Sequence, residues 1–142
     1  MRDAMTQALS KADYEALAAF RHALRRFLDF SGDAAKEAGL TPQQHQALLA
    51  IKGFPGRDRV TIGELAEQLV QKHHSTVGLV DRLEALGLVR RESDPADGRR
   101  ALVGLTDRAE AALAGLSAIH RAELRRLRPS LAALLEQLGT DG

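Results

Sequence analysis

The sequence predicts a mainly α-helical fold with a small β-hairpin, an α+β arrangement, and three observations carry that prediction. Between Thr61 and Thr106 two short amphipathic helices are followed by a strand, a charged turn and a second strand. The flanking stretches, 1–38 and 107–142, repeat apolar residues at helical spacing. A chain of 142 residues is also of single-domain size, enough to bury roughly two-thirds of its unfolded surface. Two helices and a hairpin in that order make a winged helix-turn-helix.

The first helix of the winged region begins at Thr61 with Glu64 three residues on, a capping box. Its apolar set is Ile62, Leu65, Ala66 and Leu69, and it is expected to end near Val70. After Gln71 and Lys72, the stripe Thr76, Val80, Leu83 and Leu86 marks a second helix, closed by Gly87 in a left-handed conformation. Leu88–Ser93 and Arg100–Leu105 then flank Asp94-Pro-Ala-Asp-Gly-Arg99, whose Pro and Asp-Gly are turn residues, so a hairpin is expected.

Upstream, Ser10 and Asp13 can cap a long helix carrying Tyr14, Leu17, Phe20, Leu24, Phe27 and Leu28. It is expected to run to Ala38, with a kink or break at Ser31-Gly32, because a mid-helix glycine costs about 1 kcal/mol. Thr41-Pro42-Gln43-Gln44 supplies a cap, a first-turn proline and a capping-box glutamine for a helix that turns Leu48, Leu49 and Ile51 inward and stops before Gly53. A short third strand is expected within Arg57–Val60. Downstream, Thr106 and Asp107 start a helix with Leu113, Leu116, Ile119, Leu124 and Leu127. Pro129 predicts an end or kink near Arg128, followed by a helix with Leu131, Leu134, Leu135 and Leu138.

Composition excludes several classes of function. Zero cysteines rule out disulfides, thiolate metal sites and thiol redox sensing. No apolar run approaches the roughly 20 residues of a membrane span. The first residues, MRDAMTQALSKADYEAL, mix charges where a signal peptide would be apolar, so a cytoplasmic protein with no membrane partner is expected. There is no G-x-S-x-G, G-x-G-x-x-G, Walker-type loop or H-E-x-x-H, and no enzymatic activity is expected. His73 and His74 are adjacent, about 100° apart on a helix, which is unsuited to a shared metal, so neither metal nor cofactor is expected. His120 reads as a core or interface histidine with a hydrogen-bond partner.

A net charge of +1 does not by itself point to nucleic acid. Distribution does. From Gln68 to Val80 there is no acid but there are Lys72, His73 and His74, and Arg90, Arg91, Arg99 and Arg100 gather on the hairpin.

The run DGRRALVGLT, Asp97–Thr106, resembles the D-x-R-x-x-x-V-x-L-T wing signature of the MarR family of bacterial transcription regulators. The upstream LVDRLEALGLVRR resembles that family's recognition-helix end and first wing strand, and with the helical flanks the likeness covers nearly the whole chain. The segment His73-His74-Ser75-Thr76-Val77-Gly78 departs from the family's frequent Ser-Thr-Val-Ser/Thr-Arg pattern, so the base-reading residues do not carry over.

The resemblance implies a homodimer with interlaced terminal helices: a single domain over 1–142, with 1–38 and 107–142 as dimerisation helices and 41–106 as the winged helix-turn-helix. Exposed apolar surface on the terminal helices points the same way. The reading is a repressor that binds a pseudo-palindromic, double-stranded DNA operator, with recognition helices in major grooves and wings in flanking minor grooves. The expected DNA contacts are Lys72, His73, His74, Ser75, Thr76, Gly78 and Arg82 on the helix, with Asp97, Arg99 and Arg100 on the wing. By resemblance the wing arginine, here Arg99, enters the minor groove, with Asp97 holding it and Arg100 supplementing it. A small-molecule effector, often aromatic in such regulators, is also implied, in a cleft between the dimerisation helices and the winged domain; Tyr14, Phe20, His22, Phe27 and His45 are candidate lining, all equally explicable as core. The alternative reading is a winged-helix module that binds a protein partner without sequence-specific DNA binding.

Overall fold

The computed structural model describes residues 8–138. Among them the elements run α1 (Lys11–Glu37), α2 (Pro42–Lys52), β1 (Arg59–Val60), α3 (Ile62–Leu69), α4 (His73–Ala85), β2 (Val89–Ser93), β3 (Ala101–Leu105) and α5 (Asp107–Leu138). The charge-mixed start of the chain, Met1–Gln7, and the side chain of Leu138 lie outside what is described. Contacts divide the chain into two compact units, Gly32–Ala118 and a second formed by Met1–Ser31 with Ile119–Gly142.

In the unit Gly32–Ala118 the expected local signals act as written. Thr41 and Gln44 form a reciprocal capping box at the start of α2, with Pro42 in its first turn, and Thr61 and Glu64 do the same for α3. Gly87 has φ +72°, and bonds from its amide to Glu84 and from Leu88 to Leu83 close α4 as a Schellman motif. The same pair of bonds ends α3, Val70 to Glu67 and Gln71 to Ala66, but there the left-handed residue is Val70 at φ +52°. That conformation is uncommon for a β-branched side chain.

The three strands form an antiparallel sheet in the order β1-β3-β2. Val89 faces Leu105 and Ser93 faces Ala101 across the hairpin, and Arg59 faces Gly104 on the other side. The core beneath is Leu48, Ile51, Val60, Leu65, Val80, Leu83 and Val103, all fully buried, with Leu113 and Leu116 from α5. The end of α4 is tied to the start of α5: the Thr106 hydroxyl donates to the Gly87 carbonyl at 2.7 Å and Arg108 Nη1 to the Leu86 carbonyl at 2.7 Å.

Two apolar residues expected inside are outside. Leu49 is 49% exposed and Leu86 45%. The inward stripe of α2 is Gln44, His45, Ala47, Leu48 and Ile51, from which Leu49 is rotated away, and Leu86 sits in the helix-ending turn where the α4 stripe stops.

In the other unit, Ser10 and Asp13 cap α1 reciprocally, at 2.9 and 3.1 Å. No break occurs at Ser31-Gly32: α1 is helical from Lys11 to Glu37. Nor does a helix end near Arg128, because α5 is helical through Pro129 to Leu138. One proline removes one amide from the ladder, and in a helix of 32 residues the bonds on either side carry it through. Near one end of this unit His120 Nε2 lies 2.7 Å from Ser31 Oγ, with the Phe27 and Phe30 rings each 5.7 Å away and edge-on, so it is the hydrogen-bonded histidine the sequence suggested. The apolar surface here is thinly covered: Tyr14, Leu17, Leu24, Leu28, Ile119, Leu124 and Leu135 are all more than two-fifths exposed.

Candidate nucleic-acid interface

The geometry of α4 decides which of its side chains can meet another molecule. Thr76, Leu79, Val80 and Leu83 are buried and define its inner face. At about 100° per residue, the opposite crest consists of His74, Gly78, Asp81 and Ala85. Ser75 and Arg82 lie on one flank of that crest, and His73, Val77 and Glu84 on the other. His73, His74 and Ser75 are exposed, and the N-cap residue Lys72 makes no side-chain capping bond to the first amides of α4.

Thr76 does not belong with the expected DNA contacts. It is fully buried, its hydroxyl donating to the Lys72 carbonyl at 3.1 Å, and a side chain on the core face cannot reach a groove. Lys72 and Arg82 are exposed on the same side of the helix as Ser75, and neither is in an ion pair among the described residues. The Gly78 position is where Arg82 lies: a Cβ built there would stand 3.5 Å from Arg82 Nη1.

The hairpin loop is folded on its own carboxylates. Asp94, nearly buried, accepts from the Ala96 amide at 2.9 Å and from Arg100 Nη2 at 3.2 Å. Asp97 accepts from both the amide and Nε of Arg99, at 3.1 and 3.3 Å. Arg99 is 93% exposed and points away from the fold, whereas Arg100 is held against Asp94. The structure therefore separates two arginines that adjacency in the sequence treats alike.

Arg91 was visible in the sequence only as one of several basic residues. From β2 its guanidinium reaches Asp81 at 2.6 Å and Glu84 at 2.7 Å, bridging two carboxylates one turn apart on α4. Hydrogen bonding to Asp81, then to Glu84, raises its pKa above the usual arginine value, against the opposing effect of burial. The bridge fixes the wing to the helix and offsets part of the negative charge of Asp81, on the crest, and Glu84, on its flank. Acids three apart on one helix face were the available signal, but the partner came from another element. On the sheet's outer side Arg59 crosses Gly104, where a Cβ would stand 2.9 Å from its Cγ, to reach Glu92 at 2.6 Å.

The candidate effector residues fall in both units, Tyr14, Phe20, His22 and Phe27 in one and His45 in the other. His22 lines a groove of about 630 Å³ between α1 and α5, walled by Ala12, Ala16, Ala19 and Ala23 against Leu127 and Leu134. Tyr14, Phe20 and Phe27 are not on that lining; Tyr14 is 58% exposed and Phe27 packs on His120. His45 is buried in the other unit, on the inward face of α2. Among the described residues no group of three or more His, Asp or Glu side chains is placed to hold a metal ion, and no helix is long and apolar enough to cross a membrane.

The sequence model of the MarR family matches residues 38–100. The transcriptional regulator HosA of Escherichia coli O111:H- is 41% identical over 75 residues, 53% of either chain. The chain thus spans about half the length of the curated relatives it matches. The crystal structure of a probable transcriptional regulator from Pseudomonas aeruginosa is 30% identical, with a TM-score of 0.60, covering 84% of this chain and 92% of that one. The Staphylococcus aureus MepR F27L mutant, solved bound to an oligodeoxyribonucleotide, has the same fold at 20% identity, with a TM-score of 0.66 over 88% of this chain and 97% of that one. Family model, relative of matching length and fold agree, and the chain belongs to the MarR family of winged-helix transcription regulators.

Proposed function

We propose that this protein binds double-stranded DNA as a homodimer and represses transcription from a pseudo-palindromic operator, without catalytic activity. The observation that carries the reading is the shared exposure of two elements bridged by Arg91: the first turn of α4 with His73, His74 and Ser75, and the wing with Arg99. Such a helix fits a major groove, and a free guanidinium on a hairpin tip fits a narrow minor groove. The MepR mutant bound to an oligodeoxyribonucleotide supports a DNA ligand for this fold. The relatives from Escherichia coli and Pseudomonas aeruginosa are named as regulators and not as enzymes.

The dimer is supported by the exposed apolar residues of α1 and α5, which cover one another incompletely within a single chain. A small molecule that releases DNA is part of the proposal, and the alanine-walled groove beside His22 is its candidate site. Reciprocity requires operator and effector to weaken each other's binding by one factor.

The test combines light scattering with fluorescence anisotropy on duplexes selected from a random pool. Expected are twice the 15.4 kDa chain mass and an affinity that falls steeply with salt. His74→Ala and Ser75→Ala should change which sequence is preferred, by a factor corresponding to roughly 1–3 kcal/mol at the affected base pair. Particles of one chain's mass would remove the dimer. Absence of salt-sensitive binding to any duplex would favour a protein partner for the winged region.

A further inference from the structure

Beside α4 lies a recess of about 440 Å³ that joins five of the expected DNA contacts to Gln43 and Gln71, which are not among them. Its walls are Gln43 from α2, Gln71 from the turn after α3, and Lys72, Ser75 and Arg82 on one flank of α4; Gly78 leaves its floor open. Every polar side chain there is a cation, an amide or a hydroxyl, apart from His74 at its edge, and no carboxylate lines it. Gln71 stands beside the start of α4, its Oε1 3.4 Å from the buried Thr76 hydroxyl, whose proton goes to the Lys72 carbonyl. Lys72 and Arg82 are without ion-pair partners among the described residues. Three elements therefore aim donors with two uncompensated charges at one volume, which is the chemistry of a tetrahedral oxyanion on a polymer backbone.

We propose that this recess seats one DNA backbone phosphate, with Gln43 and Gln71 as its neutral amide donors and Lys72 and Arg82 as its charges. The inference rests on the DNA-binding reading and divides its labour. Lys72 and Arg82 hold the helix on the backbone, and His74 and Ser75 are left to read base edges. Gln43, on a helix outside the helix-turn-helix pair, becomes a DNA-positioning residue.

Side-chain amide NMR of the full chain, titrated with a random-sequence duplex at low salt, tests this directly. The Gln43 and Gln71 amide signals should move together with the backbone amides of α4. In parallel, Gln43→Glu should lower affinity for all duplexes at least about tenfold, because a carboxylate then faces the phosphate. Misfolding is not a competing explanation, since an acid in a helix's first turn favours the helix and Gln43 is exposed. Gln43→Ala should weaken binding less, with the dependence of log affinity on log salt unchanged, whereas Lys72→Ala should make that slope shallower by about 0.9 per subunit. If the duplex moves α4 and wing signals while both glutamine amides stay still, or if Gln43→Glu binds like the parent, the phosphate seat is wrong and DNA binding stands. A changed sequence preference in Gln43→Ala would make it a base reader and likewise overturn the assignment. If no signal moves with any duplex, both readings fall.

Discussion

Replacing Arg91 by methionine separates the wing from the recognition helix while keeping the length of its aliphatic stem. The structure sets the size of the effect. Arg91 is 27% exposed, but Asp81 and Glu84 are 59% and 44% exposed, so water screens both contacts and neither has the value of a buried pair. Exposed pairs contribute roughly 0.2–1 kcal/mol each, and two with short bonds on one guanidinium give about 1 kcal/mol in total. In urea, with a slope of about 2 kcal/mol per molar, that lowers the unfolding midpoint by about 0.5 M. At 1 M salt, where the screening length is about 3 Å, most of the difference from the parent should vanish. DNA affinity should fall further than stability, because the variant leaves the carboxylates of Asp81 and Glu84 without their shared cation and frees the wing. Arg91→Lys should recover only part, as a single ammonium cannot bridge both acids with fixed geometry. A variant with the parent's urea midpoint and the parent's affinity at matched salt would refute the bridge as a coupling element.

Three further outcomes follow from particular residues. Val70 is 92% exposed and left-handed, so Val70→Asn removes strain without removing packing; stability should rise by about 1 kcal/mol, read as a higher melting temperature, and an unchanged or lower one would contradict the assigned strain. Arg99→Ala should leave unfolding unchanged, since among the described residues the Arg99 side chain bonds to Asp97 of its own loop and is otherwise in solvent, while operator affinity drops and the salt slope becomes shallower by about one or more per dimer; unchanged binding would make the wing purely structural. Glu64's pKa lies below the ordinary 4.5, held there first by the Thr61 amide and then by Arg57, against burial. A lowered folded-state pKa contributes stability that is present above the unfolded value and lost as pH falls through the folded one. The stability gap between parent and Glu64→Gln should accordingly be full above about pH 5 and close on further acidification, and a gap independent of pH would argue against the charge.

Local signals in the sequence were sufficient wherever the physics is local. Capping boxes at Ser10, Thr41 and Thr61, and the left-handed glycine at Gly87, involve groups within a few residues of each other, so their geometry follows from spacing alone. The hairpin was legible for the same reason, and so was the exposure of Arg99 at a polar turn, whereas the third strand pairs Arg59 with Gly104 across a long stretch of chain. Local penalties, by contrast, did not end either helix. Gly32 and Pro129 weaken a helix by itself, but α1 and α5 continue through them, since each penalty is small against a long run of backbone bonds.

What required the tertiary structure was the partner of each side chain. Thr76 could be read as core or as a DNA contact until the packing of α4 placed it on the buried face. Arg91 and Arg100 were indistinguishable from Arg99 as charges; only the approach of β2 to α4 gave Arg91 its two acids, and only the fold of the turn gave Arg100 Asp94. Gln43 and Gln71 sit 28 residues apart and share a recess because α2, α3 and α4 pack on one core. Periodicity assigns a residue to a face of its own helix, but which other element meets that face depends on chain segments far away in sequence, and contact chemistry is decided there.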